Sequence, residues 1–286
     1  MEVNCEGCAG CCIDWRALTE TDIDHERRGP YEPLDDTYNL VPLSRDDVWD
    51  FLDAGYGDAL TPRLWRTDAG TSVSVGGVEL AAIAGNPAFF VGIRKPPKPV
   101  APFGCDPKWL PSCTFLDPQT LQCRVHDGPE YPETCGEYPG ENLTLDVETE
   151  CERVEAAHGG ERLLDDEPPE DVTPTFGPAA LGSTVFAHPD PDRITDAVAR
   201  ACSGDLTRGD RAEFVAVAAG SSPGMLSVNT ERYEQARERV LAAESWAGAA
   251  IRDWQERSSG SDPDPSLATT VEDDRGAPET PGWNEQ

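Results

Sequence analysis

The sequence predicts an α+β protein: a small irregular cysteine-rich domain with short strands and helices, followed by a helical region. Three observations predict it. Nine of the ten cysteines fall before residue 152, which separates a chemical half from a supporting half. Runs of strand character stand at 71–75, 78–83 and 89–93, inside that first half. Beyond residue 192 the apolar residues recur at helical spacing instead. The expected organisation is a cysteine-cluster domain at 1–158, an acidic linker at 159–191, a helical accessory region at 192–257 and a disordered acidic tail at 258–286.

Each element has a local reason. Thr19 is placed as the N-cap of a helical stretch that Gly29-Pro30 stops. Ser44 caps a helix carrying Val48, Phe51 and Leu52, closed at Gly55. Thr71–Val75, then Gly76-Gly77, then Val78–Ile83 read as a hairpin with a two-residue turn, and Phe89–Ile93 as a third strand. Residues 94–111 hold all three lysines and many prolines, which predicts a loop. Asp165-Asp166-Glu167-Pro168-Pro169-Glu170-Asp171 marks the linker. Helices are expected near 192–202 and 209–219. Tyr233, Ala236, Val240, Ala243, Ala247, Ala250 and Trp254 then lay one stripe along a helix of about 25 residues. That stripe packs against the protein's own body or, through the helix 230–256, docks a protein partner. From Ser258 the Ser, Gly, Pro and acidic composition predicts disorder.

Charge narrows the function. The chain carries 54 acidic and 23 basic side chains, a formal charge of −31, and only Lys95, Lys98 and Lys108 among the cations are lysines. Phosphate would repel such a surface, so nucleic acid and anionic membranes are not expected partners. Abundant carboxylates with almost no lysine suit concentrated salt, where the Debye length is about 3 Å at 1 M and self-repulsion is screened. The reading is a halophilic, archaeal-type cytoplasmic protein. No apolar run reaches membrane-spanning length, and Met1–Cys5 has no signal-peptide character.

In a reducing cytosol, clustered cysteines serve metal or redox chemistry more often than disulfides. Cys5-Glu6-Gly7-Cys8-Ala9-Gly10-Cys11-Cys12 is the strongest signal. A two-residue gap lets the backbone curl so that both thiolates face one ion, and glycines at 7 and 10 free the loop to do so. Thiolate is soft and selects zinc, Cu(I) or iron–sulfur clusters over magnesium or calcium. Successive side chains usually diverge, so Cys11 and Cys12 could hold one ion only with a local kink; more than one metal, or a cysteine kept for redox work, fits more easily.

Further along stand Cys113-Thr114-Phe115-Leu116, Cys123-Arg124-Val125-His126 and Pro132-Glu133-Thr134-Cys135-Gly136-Glu137-Tyr138-Pro139. With the first cluster, this arrangement resembles the YkgJ-like cysteine-cluster family, described as carrying a zinc- or iron-chelating domain. The resemblance covers residues 1–140. It implies that Cys5, Cys8, Cys11, Cys12, Cys113, Cys123 and Cys135 are metal ligands. Cys151 would complete eight, enough for two four-thiolate sites or an iron–sulfur cluster plus a second site. The chain departs from the family at His126, which stands at a tyrosine position, and at Tyr131 and Gly136, which replace arginines. The interval from Cys123 to Cys135 is also longer by two residues. His126 is read chiefly as a packing residue, Cys105 is ranked below Cys151 as a ligand, and Cys202 is read as core filler. His25, His158 and His188 are expected to be exposed.

The expected function is therefore metal binding through clustered thiolates, zinc or an iron–sulfur cluster, for electron transfer or metal handling. The alternatives are an enzyme related to cysteine-cluster protein-lysine N-methylases, or a thiol redox protein. Gly220-Ser221-Ser222-Pro223-Gly224 has the letters of a nucleophile elbow. Pro223 lacks the amide that the oxyanion hole requires, so that reading fails.

Overall fold

A computed structural model describes residues 1–20, 31–68, 70–168 and 183–282. It is a mixed α+β protein whose helices concentrate after residue 194. The chain divides into two compact units that interleave in sequence. One takes the described residues of 1–20, 95–168 and 249–282; the other takes those of 31–94 and 183–248. The consecutive division at 158 and 191 does not reproduce this partition. The helix expected after Thr19, and His25 within it, lie outside the described residues.

The unit formed by 31–94 and 183–248 is built on an antiparallel sheet. Its path runs β10 (Phe186–Ala187), β6 (Asn86–Ile93), β3 (Leu60–Thr67), β5 (Val78–Ile83) and β4 (Ser72–Val75), and β2 (Tyr31–Pro33) also pairs with β3. The predicted hairpin forms with Val75 opposite Val78, and Gly76 and Gly77 take φ of 58° and 84°. Both values lie in the region that a two-residue turn needs and that side chains disfavour. Ser44 and Asp47 make a reciprocal capping box at the start of α1 (Arg45–Asp53), as the sequence predicts. α6 (Arg208–Gly220) supplies Phe214, whose ring centroid lies 5.0 Å from that of Phe89 on the sheet. Both rings are fully buried.

α5 (Thr195–Ser203) buries Ala197, Val198 and Ala201, whereas Cys202 is exposed and no core filler. One further residue turns the side chain about 100° away from Ala201, off the buried face. His188 is buried rather than exposed, because its Nε2 lies 3.3 Å from Glu213 and its ring packs near Phe89 and Phe214.

At the start of α6, Asp210 accepts from Thr207 and pairs with Arg200 at 2.6 Å. Desolvation would raise its pKa, but these hydrogen bonds and the guanidinium outweigh it and hold the carboxyl at about 2, below its ordinary 3.8. The stabilisation is present above the ordinary value and is lost as pH falls from about 4 toward 2. Asp210→Asn is expected to flatten that part of the acid-unfolding curve; an unchanged acid limb would refute the assignment.

The long helix expected over 230–256 is two helices, α7 (Thr230–Ala242) and α8 (Trp246–Arg257). Ala243 turns extended at ψ 127°, and the Ser245 hydroxyl accepts the Gly248 amide and donates to Asp58. A serine that can cap offers the backbone an alternative to continuing the helix. The stripe persists across the break, with Ala236, Val240, Ala243, Ala247, Ala250 and Trp254 all buried.

The other unit pairs β1 (Glu2–Val3) with β9 (Leu163–Asp165) and β7 (Pro97–Val100) with β8 (Lys108–Pro111). The second pair is a correction, because residues 94–111 were expected to be loop. In a two-stranded ladder the prolines can occupy positions whose N–H is not needed. α2 (Glu133–Glu137), α3 (Gly140–Thr144) and α4 (Glu150–His158) follow. His158 is half-buried, its ring stacked 4.5 Å from Phe103, and not exposed.

The expected disordered tail is also corrected. Residues 265–275 form short helices, including α9 (Ala268–Val271), and Ala268, Val271 and Glu272 are fully buried. Buried charge holds them. Glu272 meets Lys98 Nζ at 2.7 Å and Arg124 Nε at 2.9 Å, and accepts the Trp254 indole N–H at 2.8 Å. Lys98 donates further to the carbonyls of Thr114 and Leu116. Although its segment is predicted to be a loop, Lys98 is completely buried.

Among the described residues, no helix is long and apolar enough to cross a membrane.

Candidate metal centre

The loop of residues 5–12 is shaped by its own backbone. Cys8 N–H donates to Cys5 C=O at 3.0 Å and Cys12 N–H to Ala9 C=O at 2.9 Å, with Gly7 and Ala9 at φ of 64° and 50°. Gly10 supplies a close approach, since a Cβ there would stand 2.7 Å from Val154 Cγ2 on α4. Val154 is fully buried, so the neighbour cannot simply swing into solvent. Gly10→Ala is expected to cost about 1–3 kcal/mol by overpacking. It should also weaken whatever the adjacent thiols bind. Equal unfolding midpoints for the variant and the parent would contradict this.

The loop meets the later cysteines through main-chain bonds. Cys113 N–H donates to Cys12 C=O at 2.8 Å, and Asp14 N–H to Pro111 C=O at 2.7 Å. Leu116 and Cys123 face each other as an isolated antiparallel bridge. Cys135 lies in α2, and its carbonyl accepts the Tyr131 hydroxyl at 3.3 Å. Cys151 lies in the first turn of α4, which Thr149 and Glu152 close with a capping box. Cys105 follows the short turn Pro102–Gly104 and is half-buried. His126 packs its ring 4.8 Å from Tyr131 and places Nδ1 3.2 Å from Asp127.

All ten cysteines are free thiols, and Cys11 and Cys12 bring their Sγ atoms within 3.8 Å. Burial first, then the neighbouring Cys11 and Cys8, push the Cys5 thiol up to about 12. Burial, then Cys113, does the same to Cys123, also to about 12. Cys113, Cys135 and Cys151 are raised, in each case chiefly by desolvation. Cys8 is raised by burial, against the opposing hydrogen bonds from the Gly10 amide and Arg162. Cys11 runs the other way, lowered by its hydrogen bond with Cys12 and, more weakly, by Lys95, while Cys12 is raised well above its ordinary value. The thiols thus stand near enough to resist ionising together. A bound soft cation reverses that, because a coordinated thiol is deprotonated outright.

The positive charges beside the thiols were not legible in the sequence. Arg162 Nε donates to Cys8 Sγ at 3.2 Å, and its guanidinium carbon lies 5.5 Å from the Phe103 ring centroid. Lys95 acts on Cys11, Cys113 and Cys135, and Lys98 on Cys113 and Cys123. These three cations act on the thiols although the residues beside Cys135, Tyr131 and Gly136, are uncharged. Only the lysine-bearing spot at 94–98 offered a signal; Arg162, in an acidic stretch, offered none.

The donor set is all soft sulfur, which fits zinc or an iron–sulfur cluster and not magnesium or calcium. Among the described residues, no three His, Cys, Asp or Glu side chains stand as a ready-made ligand set. Ligation would therefore require the thiols to rotate toward one another.

The profile of a family of unknown function matches residues 1–284. The chain belongs to that family, DUF7531. No curated protein and no solved structure is significantly similar to it. The DUF7531 match spans both compact units, so the cysteine-bearing unit and the sheet-bearing unit fall within one family boundary.

Proposed function

We propose that this DUF7531 protein binds zinc or an iron–sulfur cluster through Cys5, Cys8, Cys11, Cys12, Cys113, Cys123, Cys135 and Cys151, for electron transfer or metal handling. The observation that carries the reading is that the loop of Cys5 to Cys12 brings the Cys11 and Cys12 sulfurs within 3.8 Å and is tied by the Cys12 carbonyl to the amide of Cys113, so that cysteines far apart in sequence lie on joined segments. Such a concentration of sulfur is stable as thiolate only with a cation among it. The resemblance to YkgJ-like cysteine-cluster proteins supports the same chemistry. The working environment we propose is a salt-rich cytoplasm, without nucleic-acid or membrane partners. A protein partner at 230–256 would have to use the outward faces of α7 and α8, since the apolar stripe is buried.

Metal analysis and an absorption spectrum test this on protein purified without oxygen in high salt. Iron with acid-labile sulfide and a broad visible band is the outcome for a cluster. Stoichiometric zinc without colour is the outcome for a chelating or structural site. Protein that carries no metal, with every thiol titratable, would remove the proposal.

Thiol redox chemistry is the second reading, favoured by the 3.8 Å approach of Cys11 and Cys12. It predicts that a disulfide oxidant takes two electrons and two protons from this pair, with two thiols lost.

A further inference from the structure

We propose that the cavity beside α7 binds a small monocarboxylate with an apolar body, the carboxylate held by Arg193 and Arg237 and the body lying against Leu241 and Ala242. The site belongs to the sheet-bearing unit and does not rest on the metal-binding reading.

The cavity measures about 570 Å³, within the range of small-molecule sites. Tyr233, Arg237 and Leu241 line it from one face of α7, because residues four apart on a helix stand one above the other. Arg193 joins them from the turn that precedes α5. A buried polar chain fixes the Tyr233 and Arg193 end. The Tyr233 hydroxyl donates to Glu213 at 2.6 Å and accepts from Arg193 at 2.6 Å, and the Arg193 guanidinium carbon lies 5.4 Å from the Tyr233 ring centroid. Glu213 also meets His188 Nε2 at 3.3 Å, while the Asp190 amide donates to Nδ1 of the same ring. That bond assigns the imidazole proton to Nε2. Arg193 is therefore held in place before any ligand arrives, which lowers the cost of binding.

Arg237 is the group that asks for a ligand. Its Nε is screened from water and, among the described residues, has no hydrogen-bond partner. Such orphaned donors are rare and costly in folded proteins, and a ligand oxygen is the acceptor this one lacks. Arg193 and Arg237 both act on the Tyr233 hydroxyl, so the two cations converge on one place. A planar carboxylate matches the guanidinium fork.

Charge sets the class further. Arg193 already pairs with Glu213 at 2.9 Å, which leaves Arg237 as the uncompensated cation of the site. Glu234 and Glu238 also line the cavity, in a chain of formal charge −31. A phosphate monoester, with nearly two negative charges, would be repelled there, whereas a single carboxylate is balanced. At the other end Leu241 leaves 37% of its surface exposed, next to Ala242, which gives an apolar body somewhere to lie.

Equilibrium dialysis of the full-length chain with radiolabelled isovalerate, in high salt at fixed chloride, tests this. One saturable equivalent per chain is expected. Arg237→Gln should weaken binding about tenfold or more, the worth of a charge-assisted hydrogen bond. Leu241→Asn should weaken it about fivefold through lost apolar contact. Acetate, which lacks the body, should compete less well than unlabelled isovalerate. Isoamyl alcohol and inorganic phosphate should not displace the label. Near-ultraviolet circular dichroism checks that each variant is folded, and the exposed position of Leu241 keeps the second variant readable if the first misfolds. No saturable binding by the parent overturns the proposal, as does parental affinity in both variants. Displacement by phosphate at matching concentration overturns the carboxylate assignment.

Discussion

Glu272→Ala is expected to lower the unfolding free energy by about 3–5 kcal/mol, the usual cost of removing one partner from a buried ion pair. The carboxylate takes Lys98 Nζ on one oxygen and Arg124 Nε on the other, and it accepts the Trp254 indole as well. Lys98 and Glu272 are both fully buried, so high salt should screen the pair little. With the carboxylate gone, the ammonium stays buried opposite two carbonyls, and ordering of 258–282 loses its anchor. Glu272→Gln keeps the shape and an acceptor for the indole, and should cost less than alanine. Denaturant unfolding in high salt measures both, and limited proteolysis should cut the variants early within 258–282. A midpoint equal to the parent's would show that packing of Ala268 and Val271 alone holds the segment.

Chelation is expected to have the larger effect of the two. Binding free energy at structural thiolate sites reaches about 10–16 kcal/mol in small zinc domains, and it acts as folding free energy. The unit containing the cysteines also has few long elements; its longest strands are the four-residue β7 and β8. Metal removal should therefore raise amide exchange across 1–20 and 95–168. The sheet and α6, with the Phe89–Phe214 core, should keep their protection. Unchanged melting and exchange after complete chelation would show that metal, if bound, does not support the fold.

Local chemistry made much of this molecule legible. Ser44 with Asp47, Gly76-Gly77 and the periodicity near 192–219 each carry their own signal, and each element forms where that signal lies. The hairpin of β7 and β8 was hidden because Pro97, Pro99 and Pro111 read as loop, although the ladder pairs Pro97 with Pro111 and Pro99 with Trp109. The order of residues 258–282 was hidden for a different reason: Glu272 finds Lys98 and Arg124 far away in sequence, and no local pattern announces such a partner. The break between α7 and α8 escaped because the buried stripe continues across it. For the candidate site, the spacing of Cys5, Cys8, Cys11 and Cys12 was legible because these thiols sit in one short loop, whose turns the structure shows at Cys8 to Cys5 and Cys12 to Ala9. The cations near them come from other segments and are specified only by the folded chain.

The interleaving of the units has a consequence for synthesis on the ribosome. The loop holding Cys5 to Cys12 emerges about 260 residues before Glu272, which secures the turn carrying Cys113 and Cys123 through Lys98 and Arg124. At ordinary elongation rates of about 5–20 residues per second, the first thiols wait roughly 15–50 s before their unit can close. During that interval they are nascent-chain thiols, open to oxidation. The order of emergence therefore makes the sheet-bearing unit, interrupted only by 95–180, the part that can mature while the cysteine unit is still incomplete.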